Sequence, residues 1–287
     1  MKFSSLDNLE VGSIVGNSPK HMFFRCFPSM SGETIMDQTI IVEYKNDNFR
    51  IERIIDEECS RIAIMRGNQL WCLGAFGNLY ILNNGIWSDY KIELKPYRYL
   101  NEFVELNGSV YSAGKNSTLL ELQNYEWRSS RKFEGDYDFY AISGSSDKSI
   151  YVVGEHGCVY KIIENKAIAI DVPTNQDIYG IYINKQNIIH ICGLNGCFFV
   201  GTTNEWLDLS EPNLGVSFHG MKFWNNNLLV AAKNQIIKYE NNELIPWVEI
   251  EALSLWITGN ILWAKGLNKI HYTDNGEWTE FVVEFEV

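Results

Sequence analysis

Paired cysteines, a surplus of basic residues and long apolar runs are all missing from this 287-residue chain. Its six cysteines, Cys26, Cys59, Cys72, Cys158, Cys192 and Cys197, include no CxxC pair. Four of them sit among strand-like apolar residues, so they read as buried free thiols. Lys and Arg number 24 against 36 Asp and Glu, and the resulting net charge of −12 repels phosphate backbones and anionic lipid. Neither nucleic acid nor a membrane is an expected partner. No apolar stretch approaches the roughly 18 residues of a membrane span. Residues 1–16 also lack the basic start and apolar run of a signal peptide, so the expected location is the cytoplasm. Only six prolines occur and no dense charge run interrupts the pattern, which excludes extended disorder away from the termini.

Signatures of catalysis are equally scarce. None of the five histidines, His21, His156, His190, His219 and His271, stands at metal-ligand spacing from another His, Cys or carboxylate. His190 and His271 alternate with apolar strand residues, whereas His156 lies in a glycine loop. Nucleophile elbow, P-loop, dinucleotide fingerprint and zinc-protease motif are absent. Gly193-Leu194-Asn195-Gly196 and Gly266-Leu267-Asn268 are each followed by a strand pattern, which makes them turns and not phosphate loops. The expectation is a chain with no catalytic residue, no metal and no cofactor.

What is present is a repeat. A turn-like Asn is followed three residues later by a large apolar residue at Asn46 to Phe49, Asn84 to Trp87, Asn124 to Trp127, Asn165 to Ile168, Asn241 to Leu244 and Asn275 to Trp278, with a shortened copy at Asn204 to Trp206. Successive anchors lie 38, 40, 41, 38, 38 and 34 residues apart, the length of a four-stranded propeller blade. A second marker precedes each anchor: an apolar run ending in a small residue, a tight loop, and another apolar run. Leu70 to Gly74 followed by Leu79 to Leu82 is one copy, and Ile150 to Gly154 followed by Val159 to Ile162 is another. A glycine there supplies a positive φ or permits close approach of neighbouring strands. No segment carries a capped helical period.

Over residues 10–285 this meander resembles the β-propeller superfamily. The likeness is strongest to loosely defined repeats with a Gly-x-x-Gly-x-hydrophobic-Tyr core, carried by Gly154-Glu155-His156-Gly157-Cys158-Val159-Tyr160. The Gly-His and Trp-Asp dipeptides of tryptophan-aspartate repeats are missing, as are the paired glycines of kelch repeats, and no single family is assigned. The resemblance implies an all-β, seven-bladed propeller of four-stranded antiparallel blades in one domain, residues 1–287. The approximate blades are 10–56, 61–94, 100–133, 139–172, 178–209, 216–250 and 252–285. The first blade is the least regular and contains the longest loop, Pro28 to Gln38. Six blades with an N-terminal extension are the alternative.

One rim of a propeller is built from inter-blade connections, and here those connections are mostly acidic: Asp56-Glu57-Glu58, Glu134 with Asp136, Tyr137 and Asp138, then Asp177 and Glu211. The segment containing Tyr97, Arg98 and Tyr99 is the basic, aromatic exception. The plain reading of such loops is solubility. The sharper one is a partner-binding surface with aromatic anchors that steers a basic protein. The expected function is therefore non-enzymatic protein binding by a monomer. In general character the chain resembles bacterial immunity proteins that neutralise a cognate, basic toxin, and its Asn-, Ile-, Lys- and Tyr-rich composition suits an AT-rich bacterial genome. A carbohydrate-binding propeller, or a glycoside hydrolase or lyase assembled from loops, is the alternative.

Overall fold

The repeated asparagines act through backbone geometry. A two-residue hairpin whose twist matches that of its strands needs φ > 0 at both central positions, a conformation open to Asn and Gly and costly for most residues. The pairs Asn46/Asp47, Asn84/Gly85, Asn124/Tyr125 and Asn241/Asn242 all have positive φ, with 50° and 65° at the first pair and 49° and 78° at the second. Asn107/Gly108 and Asn225/Asn226 do the same at the other hairpin of their sheets. Each turn joins consecutive strands, so the chain lays down antiparallel meanders.

The computed structural model describes residues 9–30, 33–34, 37–92, 99–129, 133–164, 166–267 and 269–281. It contains seven sheets in chain order. The first is built from Leu9–Ser18, His21–Met30, Thr39–Lys45 and Asn48–Ile55, with the short strand Glu33–Thr34 paired to the second of these. The second comprises Cys59–Met65, Gln69–Gly74, Leu79–Asn83 and Ile86–Tyr90; the third, Leu100–Leu106, Ser109–Gly114, Thr118–Gln123 and Glu126–Arg128. The fourth comprises Phe139–Gly144, Ile150–Gly154, Val159–Ile163 and Lys166–Ala169; the fifth, Ile178–Ile183, Ile189–Gly193, Phe198–Gly201 and Trp206–Asp208. The sixth comprises Gly220–Trp224, Asn227–Ala232, Gln235–Glu240 and Glu243–Val248; the seventh, Ser254–Thr258, Ile261–Lys265, Ile270–Thr273 and Thr279–Phe281. The chain is thus an all-β, seven-bladed β-propeller, and the N-terminal segment forms a blade where the six-bladed alternative made it an extension. Among the described residues no helix is long and apolar enough to cross a membrane.

Two compact units divide the chain, Met1–Leu94 with Phe281–Val287, and Lys95–Glu280. In the first unit, Phe23, Ile41 and Ile55 of the first sheet pack against Cys59, Ile62, Leu70 and Cys72 of the second. In the second unit the same layering recurs between consecutive sheets. Tyr151, Val153 and Val159 meet Ile178, Ile189 and Ile191, and Cys192 and Phe198 meet Phe218, Leu228 and Val230. Sheets covered on both faces explain why the second strands are continuous apolar runs, buried throughout at Ile150–Gly154 and Ile189–Gly193. The outer strands are half wet.

Two expectations need correction. The segment Pro28 to Gln38 is not wholly loop, because Ser29 and Met30 pair with Thr34 and Glu33 to prolong the hairpin. The anchor at Ile168 is 48% exposed, and Trp278 lies just before its strand instead of within it. Glycine in the turn after the second strand does both things expected of it: Gly154 and Gly193 act by close approach, and Gly157 and Gly196 supply the positive φ, 72° and 69°. Gly154 and Gly193 have extended backbones (φ −174°), and a Cβ there would come within 1.9 Å of the carbonyl oxygens of Asp138 and Asp177.

Candidate partner-binding face

Close approach at those glycines creates a repeated latch. In the fourth sheet the Glu155 N–H donates to the Asp138 carbonyl at 3.0 Å, and in the fifth the Leu194 N–H donates to the Asp177 carbonyl at 2.8 Å. Side chains of the same connecting residues turn the other way, to the loop of the preceding sheet. Asp138 Oδ1 accepts the Asn116 N–H at 3.1 Å, Asp177 Oδ1 accepts the His156 N–H at 3.0 Å, and Ser217 Oγ accepts the Asn195 N–H at 3.3 Å. These three loop residues share one left-handed backbone conformation, with φ of 54°, 53° and 55°. Asp138 and Asp177 therefore hold neighbouring sheets together as well as carrying charge.

The other sequence-selected residues divide by exposure. In the first unit Asp56 is exposed and accepts from Gln38 Nε2 at 2.9 Å. Glu57 is half-buried, takes Asn78 Nδ2 at 2.8 Å and also accepts from the Tyr80 hydroxyl; Glu58 is half-buried too. In the second unit Glu134, Asp136 and Glu211 are exposed, whereas Tyr137 packs against the cluster containing Phe139 and Tyr160. Tyr99 is half-buried with Lys115 Nζ 5.6 Å from its ring centre. Tyr97 and Arg98 lie outside the described residues.

Beside the latch the structure assembles an arc of rings that the sequence reading missed. Tyr140 and Tyr179 are the second residues of the first strands of the fourth and fifth sheets, His219 immediately precedes the first strand of the sixth, and all are half-buried. Their ring centroids are 5.5 Å apart for Tyr140 and Tyr179, and 6.4 Å for Tyr179 and His219, the latter pair stacked within 6° of parallel. A signal was available in the triplets Asp138-Phe139-Tyr140, Asp177-Ile178-Tyr179 and Ser217-Phe218-His219. Each consists of a latch residue, a buried apolar residue and an arc residue.

The arc's electrostatics follow from its surroundings. The Tyr140 hydroxyl lies 3.4 Å from Glu155 Oε1, while Glu155 Oε2 accepts the Asp138 N–H at 2.9 Å. Burial, and then the negative charges of Glu155, Asp177 and Asp138, push the Tyr140 phenol up; burial and Asp177 do the same to Tyr179. Burial, helped by the Lys233 charge, pushes His219 below its ordinary range. The two tyrosines thus sit beside carboxylates, and the histidine beside a lysine. Among the described residues no group of three or more His, Cys, Asp or Glu is arranged to hold a metal ion.

No family model matches the chain, and no curated protein matches it. Solved structures do. A structure described as YCF48 bound to D1 peptide gives TM-score 0.65 at 10% identity, covering 98% of this chain and 96% of that one. The extracellular domain of the one-component system BT4673 from B. thetaiotaomicron gives TM-score 0.67 at 12% identity, over 93% of this chain and 39% of that one. The Dos1 propeller gives 0.64 at 11% identity, over 90% and 76%. At these identities the likeness shows the fold alone, that of a β-propeller.

Proposed function

We propose that the chain is a non-catalytic, cytoplasmic protein-binding propeller whose acidic face receives a basic partner, in the manner of an immunity protein that neutralises a toxin. The observation that carries this reading is the division among the carboxylates of the second unit. Asp138 and Asp177 each spend one carboxylate oxygen on a backbone N–H of the neighbouring sheet, whereas Glu134, Asp136 and Glu211 are exposed and have no ion-pair partner among the described residues. Solvated carboxylates on rigid, latched connections attract a cation-rich surface without a desolvation cost in the free protein. The overall charge of −12 acts in the same direction. YCF48, of the same fold, has been solved with a peptide bound, which supports peptide or protein recognition as a use of this scaffold.

The test is affinity capture with the intact chain and with a triple variant, Glu134→Gln, Asp136→Asn and Glu211→Gln, followed by mass spectrometry and rate measurement. A basic protein retained only by the unaltered chain is expected, with an association rate falling roughly tenfold or more as salt rises. A partner that the triple variant holds equally well, at a rate indifferent to salt, would overturn the proposal.

A further inference from the structure

The exposed carboxylates account for attraction but not for the rings beside them. Tyr140 and Tyr179 come from consecutive first strands, with centroids 5.5 Å apart and planes inclined at 58°. Both rings are half-buried and tilted against each other, so each keeps part of its surface in water. Around them stand Glu155, Asp177 and Asp138, the three charges that act most on Tyr140 after burial. Lys115 Nζ lies 3.9 Å from Asp138 Oδ2 and offsets part of that charge. Asp177 and Glu155 have no ion-pair partner among the described residues, although each spends one oxygen on a backbone N–H and the other Glu155 oxygen lies 3.4 Å from the Tyr140 hydroxyl. At the far end of the arc, Lys233 acts on His219 and makes that end the less negative one.

We propose that Tyr140 and Tyr179, with Asp177 and Glu155, form a socket for one guanidinium group, an arginine side chain presented by the protein partner. This rests on the protein-binding reading and specifies its central contact. Ring faces are negative and attract a cation over them, most strongly where water is partly excluded. A planar guanidinium stacks on one tyrosine while its N–H fork reaches carboxylate oxygens at the edges, which a compact, strongly hydrated ammonium does less well. His219, stacked on Tyr179, continues the arc beyond the two tyrosines. The Lys233 charge makes the His219 end of the arc the less favourable one for a cation.

The experiment uses the intact chain and three blocked peptides, Gly-Arg-Gly, Gly-Lys-Gly and Gly-citrulline-Gly, titrated by NMR or calorimetry. Arginine peptide is expected to bind at least about fivefold more tightly than the citrulline peptide, which keeps shape and loses charge. Tyr179→Ala should weaken it by a similar factor, Tyr179→Phe should restore it, and Glu155→Gln should weaken it while leaving the thermal midpoint in place. Equal binding of the citrulline peptide, equal binding of the lysine peptide, or indifference to Tyr179→Ala would each overturn the socket. Failure of the wider reading looks different: there the triple rim variant keeps its captured partner. If the arginine peptide does not bind while that variant loses its partner, the socket falls and the acidic face stands.

Discussion

Asp177 accepts the backbone N–H of His156 at 3.0 Å across the junction of two sheets. A carboxylate that caps a backbone amide from a neighbouring blade contributes to stability and to surface charge together, and substitution separates the two. Asp177→Ala removes the acceptor and is expected to destabilise the protein by about 1–3 kcal/mol. Asp177→Asn keeps an acceptor oxygen and should recover most of that loss while removing the charge. Denaturant midpoints of the two variants check this, and equal losses would show that charge, not the hydrogen bond, is what matters at this position.

Gly193 lies so close to the Asp177 carbonyl that a Cβ would reach 1.9 Å from the oxygen. Gly193→Ala must push two sheets apart at the latch and should cost about 1–3 kcal/mol or more, as an overpacked core does. Gly215→Ala, in open space at φ 62°, should cost only the smaller backbone strain. Thermal unfolding of the two variants gives the ranking directly.

The repeated turns predict a different kind of loss. Asn84 has φ 49° and no buried contact to lose, so Asn84→Val tests backbone conformation alone. A β-branched residue there should destabilise by about 1–2 kcal/mol. Asn84→Gly should be close to neutral in the same denaturation measurement.

His190 is 4% exposed, and burial lowers its pKa below the ordinary 6.5, with the backbone carbonyls of Tyr182 and Ile188 opposing. Burial also lowers His219 and His271. The unfolded chain then binds protons that the folded chain refuses, so stability is full above about pH 6.5 and declines as pH falls toward the folded-state values. Urea midpoints should drop between pH 7 and pH 5.5, and less steeply in His190→Phe. A flat profile over that interval would contradict the burial of these imidazoles.

Trp206 donates from Nε1 to the Asp171 carbonyl at 2.9 Å and packs against the cluster of the fourth and fifth sheets. Trp206→Phe should lose about 1 kcal/mol, the value of one such hydrogen bond. Trp206→Ala should lose about 3 kcal/mol or more by emptying the packing site. Calorimetric midpoints of the pair separate the two contributions.

The seven-bladed architecture was legible in the residues because it depends on local rules repeated along the chain. Asn at 84, 124 and 241 marks turns that need positive φ, and the apolar residue three places on marks the half-buried outer strand. Strand burial on both faces is likewise written as continuous runs such as Ile150–Gly154. The loop acids were legible as charge but not as structure. Nothing in the residue types of Glu134 and Asp138 tells an exposed carboxylate from one that caps Asn116, because the difference lies in which backbone amide the adjoining sheet presents. The arc of Tyr140, Tyr179 and His219 was hidden for the same reason. The sequence by itself determined the blades, since a turn or strand is decided by neighbours a few residues away. Tertiary structure alone decided which side chains from blades some 40 residues apart meet, and it is between blades that the latch and the socket are made.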